Sequence, residues 1–597
     1  MQRRDLLALA ATSAASGLPV WAAPVAAAPR TLRVAFPSAE AGFDPPQVGD
    51  ESSIRILSHI FESPLTYDHL ARPALLVPRT AAALPEVSAD FRHWVFTIRP
   101  GILFADDPVF KGRPRELTAA DHVYSIKRLY DPRINTEHLY RFENAKLLGL
   151  SELRQRALKD KTAFPYDAEV PGLRVLDRYR FELRLAEPAP RFADVFTSAL
   201  FAGAVAREVV EHYGSEIMAH PVGTGPFRLK EWRRSSRIVL ERNPRFREEI
   251  FDAQPAADDA EGQALLRQLR GQRLPLVDRV EASIITEAQP RWLAFLGDDL
   301  DQLALPPEFA PQAVPAGRLA PYLAKRGISA RRTLAADVSQ TFFNFDRPEV
   351  GGYAPHQVAL RRAIALAYDN AAEVRLVLRG QALPAQSLIT PHTSAYNPAL
   401  HSEQGAGDTA RANALLDLSG YLDRDGDGWR ERPDGRPLVI KRAHAPTQRQ
   451  RAFNELWRKA MKAIGVRIEF ESAPFAELIK RSLAGDLMMW GFIWGAGSPD
   501  SDFFLGLAYG PNGDQSNDAR FKLPEFDRIF ARLKQLGEGA ERQQLEGEAL
   551  RLMLAYVPYI AHHHSVLTDL SQPRLVGFRR HPFNSDPWRY LSLATHP

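Results

Sequence analysis

The 597-residue chain contains no cysteine. That absence excludes thiol catalysis, disulfides, iron–sulfur ligation and thiolate zinc sites, and with them a lipid anchor on an N-terminal cysteine. No stretch reaches 18 uninterrupted apolar residues, so no membrane-spanning helix is predicted. An excess of one charge is also missing. The 76 Lys and Arg residues are interspersed with 72 Asp and Glu, and a net charge of +4 over this length gives no nucleic-acid footprint. There is no G-x-S-x-G, no H-E-x-x-H and no phosphate-cradling P-loop. The missing motifs argue against an enzyme.

What is present is an ordinary globular composition, 45% hydrophobic and 25% charged. A chain this long divides into two or three domains of roughly 150–250 residues. The N-terminus reads as an export signal. Arg3 and Arg4 precede a moderately apolar run from Leu6 to Leu18, and Val20-Trp21-Ala22 offers small residues at the cleavage offsets. Residues 1–22 are therefore expected to be a signal peptide, of the twin-arginine or the Sec type, delivering a freely diffusing periplasmic protein.

Hydrophobic periodicity predicts mixed helices and strands throughout. Arg33 to Phe36 reads as a strand, and Ile54 to Tyr67 as a helix with Ile54, Leu57, Ile60 and Phe61 on one face. Trp94, Phe96 and Ile98 alternate as a strand, and Thr118 with Asp121 forms a helix-starting capping box. Helices are expected from Gln357, near Phe453 and from Leu545 to Tyr556, with strands at Val466–Phe470 and Tyr559–Ala561. Phe251 to Gln272, rich in Ala, Asp, Gln and Gly, reads as a surface insertion without a rigid element.

Four segments, in order, resemble family 5 of the bacterial extracellular solute-binding proteins, the oligopeptide- and dipeptide-binding group. They are Trp94 to Phe104 followed by Leu117 to Val123; His220 to Phe227 followed by Glu241-Arg242-Asn243; Phe343-Asn344-Phe345-Asp346 ahead of Arg361-Arg362-Ala363; and Trp494-Gly495-Ala496 with Asp500 and Phe503 beyond. The resemblance implies an α/β, two-lobed periplasmic-binding-protein fold with a hinge and an extra inserted domain. Mapped onto this chain, lobe I is 30–72, 190–330 and 565–597, the inserted domain is 73–189, and lobe II is 331–564. It also implies capture of a small solute or peptide in an interlobe cleft and delivery to an inner-membrane ABC permease by a monomeric receptor. A secreted hydrolase or a compound-sequestering sensor on the same scaffold is the alternative.

The resemblance places Glu62 and Ser63, together with the loop Trp494, Gly495, Ala496, Gly497 and Asp500, at the cleft. Peptide binders of the family hold the ligand's amino terminus on an aspartate at the position that is Gly497 here. The cleft is therefore expected to favour a ligand without a free α-amine, or to recruit Glu62 or Asp500, with Asp502 close by. Gly497→Asp is expected to improve affinity for free-amine peptides. Independently of the family, Asp423, Asp425 and Asp427 with Gly428 form D-x-D-x-D-G, a candidate calcium loop whose twelfth position is Asp434. No other cofactor is expected. His562, His563 and His564 are consecutive; in a strand, His562 and His564 share a face, and an ordinary strand segment is favoured over a metal site.

Overall fold

The computed structural model describes residues 29–594, except 137 and 514. The expected signal segment lies outside the described residues. The chain enters a four-stranded sheet at Thr31–Phe36, which buries Leu32, Val34 and Phe36 in alternation. This strand runs parallel to Arg279–Ile284, which pairs antiparallel with Arg237–Arg242, and that in turn with Phe227–Arg233.

The helix Glu51–Ile60 starts where the Asp50 carboxylate accepts the Ser53 N–H at 2.8 Å. It ends seven residues short of the expected end at Tyr67, because Pro64 has no N–H to continue it. Leu65–Tyr67 instead pairs as a strand with Leu76–Pro78. The stretch from His220 to Phe227 packs directly on this helix end. The Gly225 N–H donates to the Ile60 carbonyl at 2.8 Å, and a Cβ on Gly223 would stand 2.1 Å from that oxygen, so only glycine fits there.

A second four-stranded sheet, of Glu86–Val87, His93–Thr97, Arg180–Arg184 and Leu173–Val175, stacks Phe96 on Phe181 at 5.2 Å. Its neighbour, the helix Ala119–Tyr130, opens on the expected capping box, with the Thr118 N–H donating to Asp121 at 2.8 Å. These elements share one continuous core with the first sheet, from Leu32 through Phe96, Ile126 and Phe181 to Val280 and Trp588.

The other lobe is built on an eight-stranded sheet. Its spine is the long strand Tyr559–Ser571. The first half pairs antiparallel with Asp337–Phe343; the second half pairs with Ser329–Leu334 and Gln302–Ala304. Asp337–Phe343 continues to Met489–Gly495, and from there the sheet runs to Val439–His444 and Arg467–Ser472 in parallel. Tyr559 and Ala561 belong to a core with Val338, Trp490 and Phe504, whereas Leu570 belongs to one with Trp292, Phe295 and Leu323. The spine thus joins separately packed bodies.

A second expectation is corrected. Residues 251–272 are not an irregular insertion. They contain the helix Ala260–Leu269, capped by the Asp259 carboxylate on the Gly262 N–H at 3.0 Å. Leu265 and Leu269, four apart on one face, pack with Leu70, Phe251, Leu274 and Tyr590. The Ala and Gln in which the segment is rich, together with its Leu, are strong helix formers.

Candidate functional site

Two adjoining cavities lie between the lobes. The larger, about 660 Å³, is walled by Tyr67, Leu76 and Ala193 on one side and by His392, Ser394 and Tyr396 on the other. The smaller, about 370 Å³, is bounded by Ser63, Phe201 and Asn584 and faced by Gly497, Asp502 and Phe503. Arg191, Asp194, Asp500 and Phe583 line both, so the two are compartments of one cleft. Each falls in the range of about 300–1,000 Å³ common for small-molecule sites.

Carboxylates outnumber cations where the compartments meet. Buried Arg542 lies 2.9 Å from Asp500, 2.7 Å from Asp502 and 3.3 Å from Glu546. Arg191 reaches across the cleft to Asp500 at 2.6 Å and to Glu538. Among the described residues Asp194 has no such ion-pair partner; it accepts the Tyr67 hydroxyl at 2.8 Å. Burial pushes the Asp194 carboxyl up to about 6, against the Tyr67 hydrogen bond and helped by Asp500. Burial, then Asp500, also pushes Asp502 up, against Arg542. Carboxyls raised in this way are short of positive charge, and a cationic ligand group would relieve them.

The structure divides the expected site residues. Ser63, Gly497 and Asp500 line the cleft. Glu62 does not, which corrects its assignment as a ligand group. It is fully buried, with Arg247 at 2.6 and 3.0 Å, Arg589 at 3.2 Å and the Thr224 hydroxyl donating at 3.2 Å. Burial alone would raise its carboxyl; Arg247 and Arg589 override that and hold it at about 2. Its oxygens are occupied, so it is not available to a ligand.

Trp494 is half-buried at the end of the strand Met489–Gly495 and lines neither compartment. It packs against Phe492 at 5.0 Å and behind Phe503 at 5.2 Å, and Phe503 forms the wall. Gly495 is exposed, and the Ala496 N–H donates to the Ala336 carbonyl at 2.7 Å. A Cβ on Gly497 would stand 3.5 Å from the Arg141 guanidinium. The expected benefit of Gly497→Asp is therefore reversed, since the added carboxylate would pair with Arg141 and not with a ligand amine. Sequence reasoning missed Arg141, Arg191 and Asp194. For Asp194 a signal existed: a carboxylate set between Phe192 and Phe196 on an otherwise apolar turn.

In the acidic loop, Asp423, Asp425 and Asp427 are joined by Glu431 and not by Asp434, all four offering oxygens within 4.8 Å of one another. Asp434 is drawn away by Arg436 at 2.5 Å. Asp423 accepts the N–H groups of Gly426 and Gly428, and Arg467 lies 3.0 Å from Asp427, so contacts within the protein account for the cluster. The three histidines lie in the spine strand, each buried and partnered: His562 with Thr341 at 2.9 Å, His563 with Glu373 at 2.6 Å and His564 with the Asp337 carbonyl at 2.6 Å.

Residues 76–516 match the model of the bacterial extracellular solute-binding proteins, family 5. The chain is 25% identical to di/tripeptide-binding protein 2 of Pseudomonas aeruginosa, with 98% of each chain covered. It is 23% identical to heme-binding protein A of Haemophilus influenzae, covering 85% of this chain and 82% of that one. Its fold superimposes on HbpA2 from Haemophilus parasuis with a TM-score of 0.72 at 19% identity, covering 95% of this chain and 100% of that one. The two-lobed, mixed α/β architecture expected from the sequence is thereby established.

Proposed function

This chain belongs to family 5 of the bacterial extracellular solute-binding proteins, and from that premise we propose that it captures a short peptide or peptide-like solute between its lobes. The observation that carries the reading is the shared cleft, whose junction holds Asp194, Asp500 and Asp502 with too few cations. An ammonium group needs such carboxylates once it leaves water. Of the two alternatives expected from Gly497, this reading takes the free-amine ligand with Asp500 recruited to hold it, not the blocked-amine one. A di/tripeptide-binding relative matched over nearly its full length supports the peptide class.

In this reading the protein works in the periplasm as a monomer and hands its ligand to an inner-membrane ABC permease. Binding involves no chemistry and no resident cofactor. Among the described residues no helix is long and apolar enough to cross a membrane. The proposed division sets 73–189 into lobe I, with 331–564 as lobe II. The breaks near 330 and 564 fall within Ser329–Leu334 and Tyr559–Ser571, the paired strands that link the bodies.

A pool of di-, tri- and tetrapeptides tests the reading. Some members should raise the melting temperature and be recovered intact by mass spectrometry. Cleaved peptides would indicate a hydrolase, and a melting temperature unmoved by every member would contradict peptide capture.

A further inference from the structure

We propose that the smaller compartment is an anion subsite, in which Arg141 receives a carboxylate of the ligand. The proposal rests on the peptide reading above, and it starts from the arginines that line this compartment. Arg79 is tied to Asp586 at 2.6 Å, and Arg191 to Asp500 and Glu538. Arg141 is different. Among the described residues no carboxylate lies within ion-pair distance of it. Its guanidinium is instead set against two rings, Phe201 at 4.7 Å and Tyr140 at 5.1 Å, and its buried Nε has no acceptor.

A guanidinium offers five N–H donors; Arg141 is half-buried, but its Nε–H is enclosed, and an enclosed donor without an acceptor is costly to keep. Ring contacts orient the fork without satisfying its donors. One side of the fork leaves room for an acceptor. Gly497 lies beside the fork, where a Cβ would be in van der Waals contact with Nη1 at 3.5 Å; having no side chain, it leaves that side of the guanidinium unfilled. A planar carboxylate fits a guanidinium through two parallel hydrogen bonds. Leu200, Phe201 and Phe503 beside it are apolar, which lowers the local dielectric and strengthens such a pair. The acid-rich junction of Asp194, Asp500 and Asp502 borders the same compartment. The cleft is thus polarised, with ammonium at the junction and carboxylate at Arg141, and it selects ligands that carry both groups at short separation.

Calorimetry on the full chain tests this. The probes are tripeptides that raise the melting temperature, each as the free acid and with its carboxylates amidated. Amidation should weaken binding to the unmodified protein about 10- to 100-fold. Arg141→Gln should weaken the free acids to a similar degree and largely remove the difference between the two forms. Its melting temperature without ligand should be unchanged, since no carboxylate is orphaned. Peptides that bind equally in both forms and to both proteins would overturn the anion subsite while leaving peptide capture intact. Succinate supplies an arm independent of peptides. It should raise the melting temperature of the unmodified chain more than sodium chloride at equal ionic strength, and not that of Arg141→Gln. If no peptide binds and succinate acts equally on both proteins, the subsite and the peptide reading fail together; a succinate response confined to the unmodified chain retains the subsite alone.

Discussion

Asp194 gives the cleft a pH signature. Its carboxyl is held at about 6 in the empty cleft, above the value of about 3.9 expected in the unfolded chain. The folded protein therefore holds a proton that the unfolded chain has lost between these values, and this group's contribution to stability falls as pH rises from about 4 through 6. A ligand ammonium favours the ionised form and expels that proton. Affinity for a free-amine peptide should thus rise between pH 5 and 7. Calorimetry at pH 6 in buffers of different ionisation enthalpy should detect proton release, and Asp194→Asn should reduce it, leaving the share that comes from Asp502. Binding at pH 6 without net proton release would mean that the ammonium sits elsewhere.

Glu62 shows how several elements are held together and why sequence reading misjudged one residue. It follows the helix Glu51–Ile60, yet its partners Arg247 and Arg589 lie 185 and 527 positions away. Arg589 also lies 3.1 Å from Asp586, which pairs with Arg79, so the charges continue beneath the cleft. Glu62→Gln leaves two buried guanidiniums undercompensated and should cost about 3–5 kcal/mol in urea denaturation. Since its carboxyl is held at about 2, the wild-type advantage should be full above pH about 4 and fade as pH falls toward 2. A loss below about 1 kcal/mol, with peptide binding abolished, would return Glu62 to the ligand site. Local elements were legible because their signals are local: the Thr118–Asp121 capping box, the alternation of Trp94 and Phe96, and the strand Tyr559–Ala561 all carry their own periodicity. The order of four motifs carried the lobes. The cleft's charges were not legible, because Arg141, Arg191 and Asp194 become neighbours of Gly497 and Asp500 only when the lobes meet. Trp494 was recognised as an aromatic near the cleft, but side-chain direction decides between wall and support, and it supports Phe503.

At the scale of the whole molecule, the cleft is assembled from two bodies joined by Ser329–Leu334 and the spine strand Tyr559–Ser571. Arg191 already bridges the cleft to Asp500 and Glu538 in the empty protein. A ligand ammonium at the junction competes with that guanidinium for Asp500 while drawing both walls together, so closure depends on the ligand's differential contacts with the closed form. Capture between lobes is tested most directly by hydrogen exchange followed by mass spectrometry, with and without a tripeptide that raises the melting temperature. The account predicts that 190–201 on one wall and both 392–396 and 497–503 on the other gain protection together. Protection confined to one wall, or to a surface away from both, would contradict it.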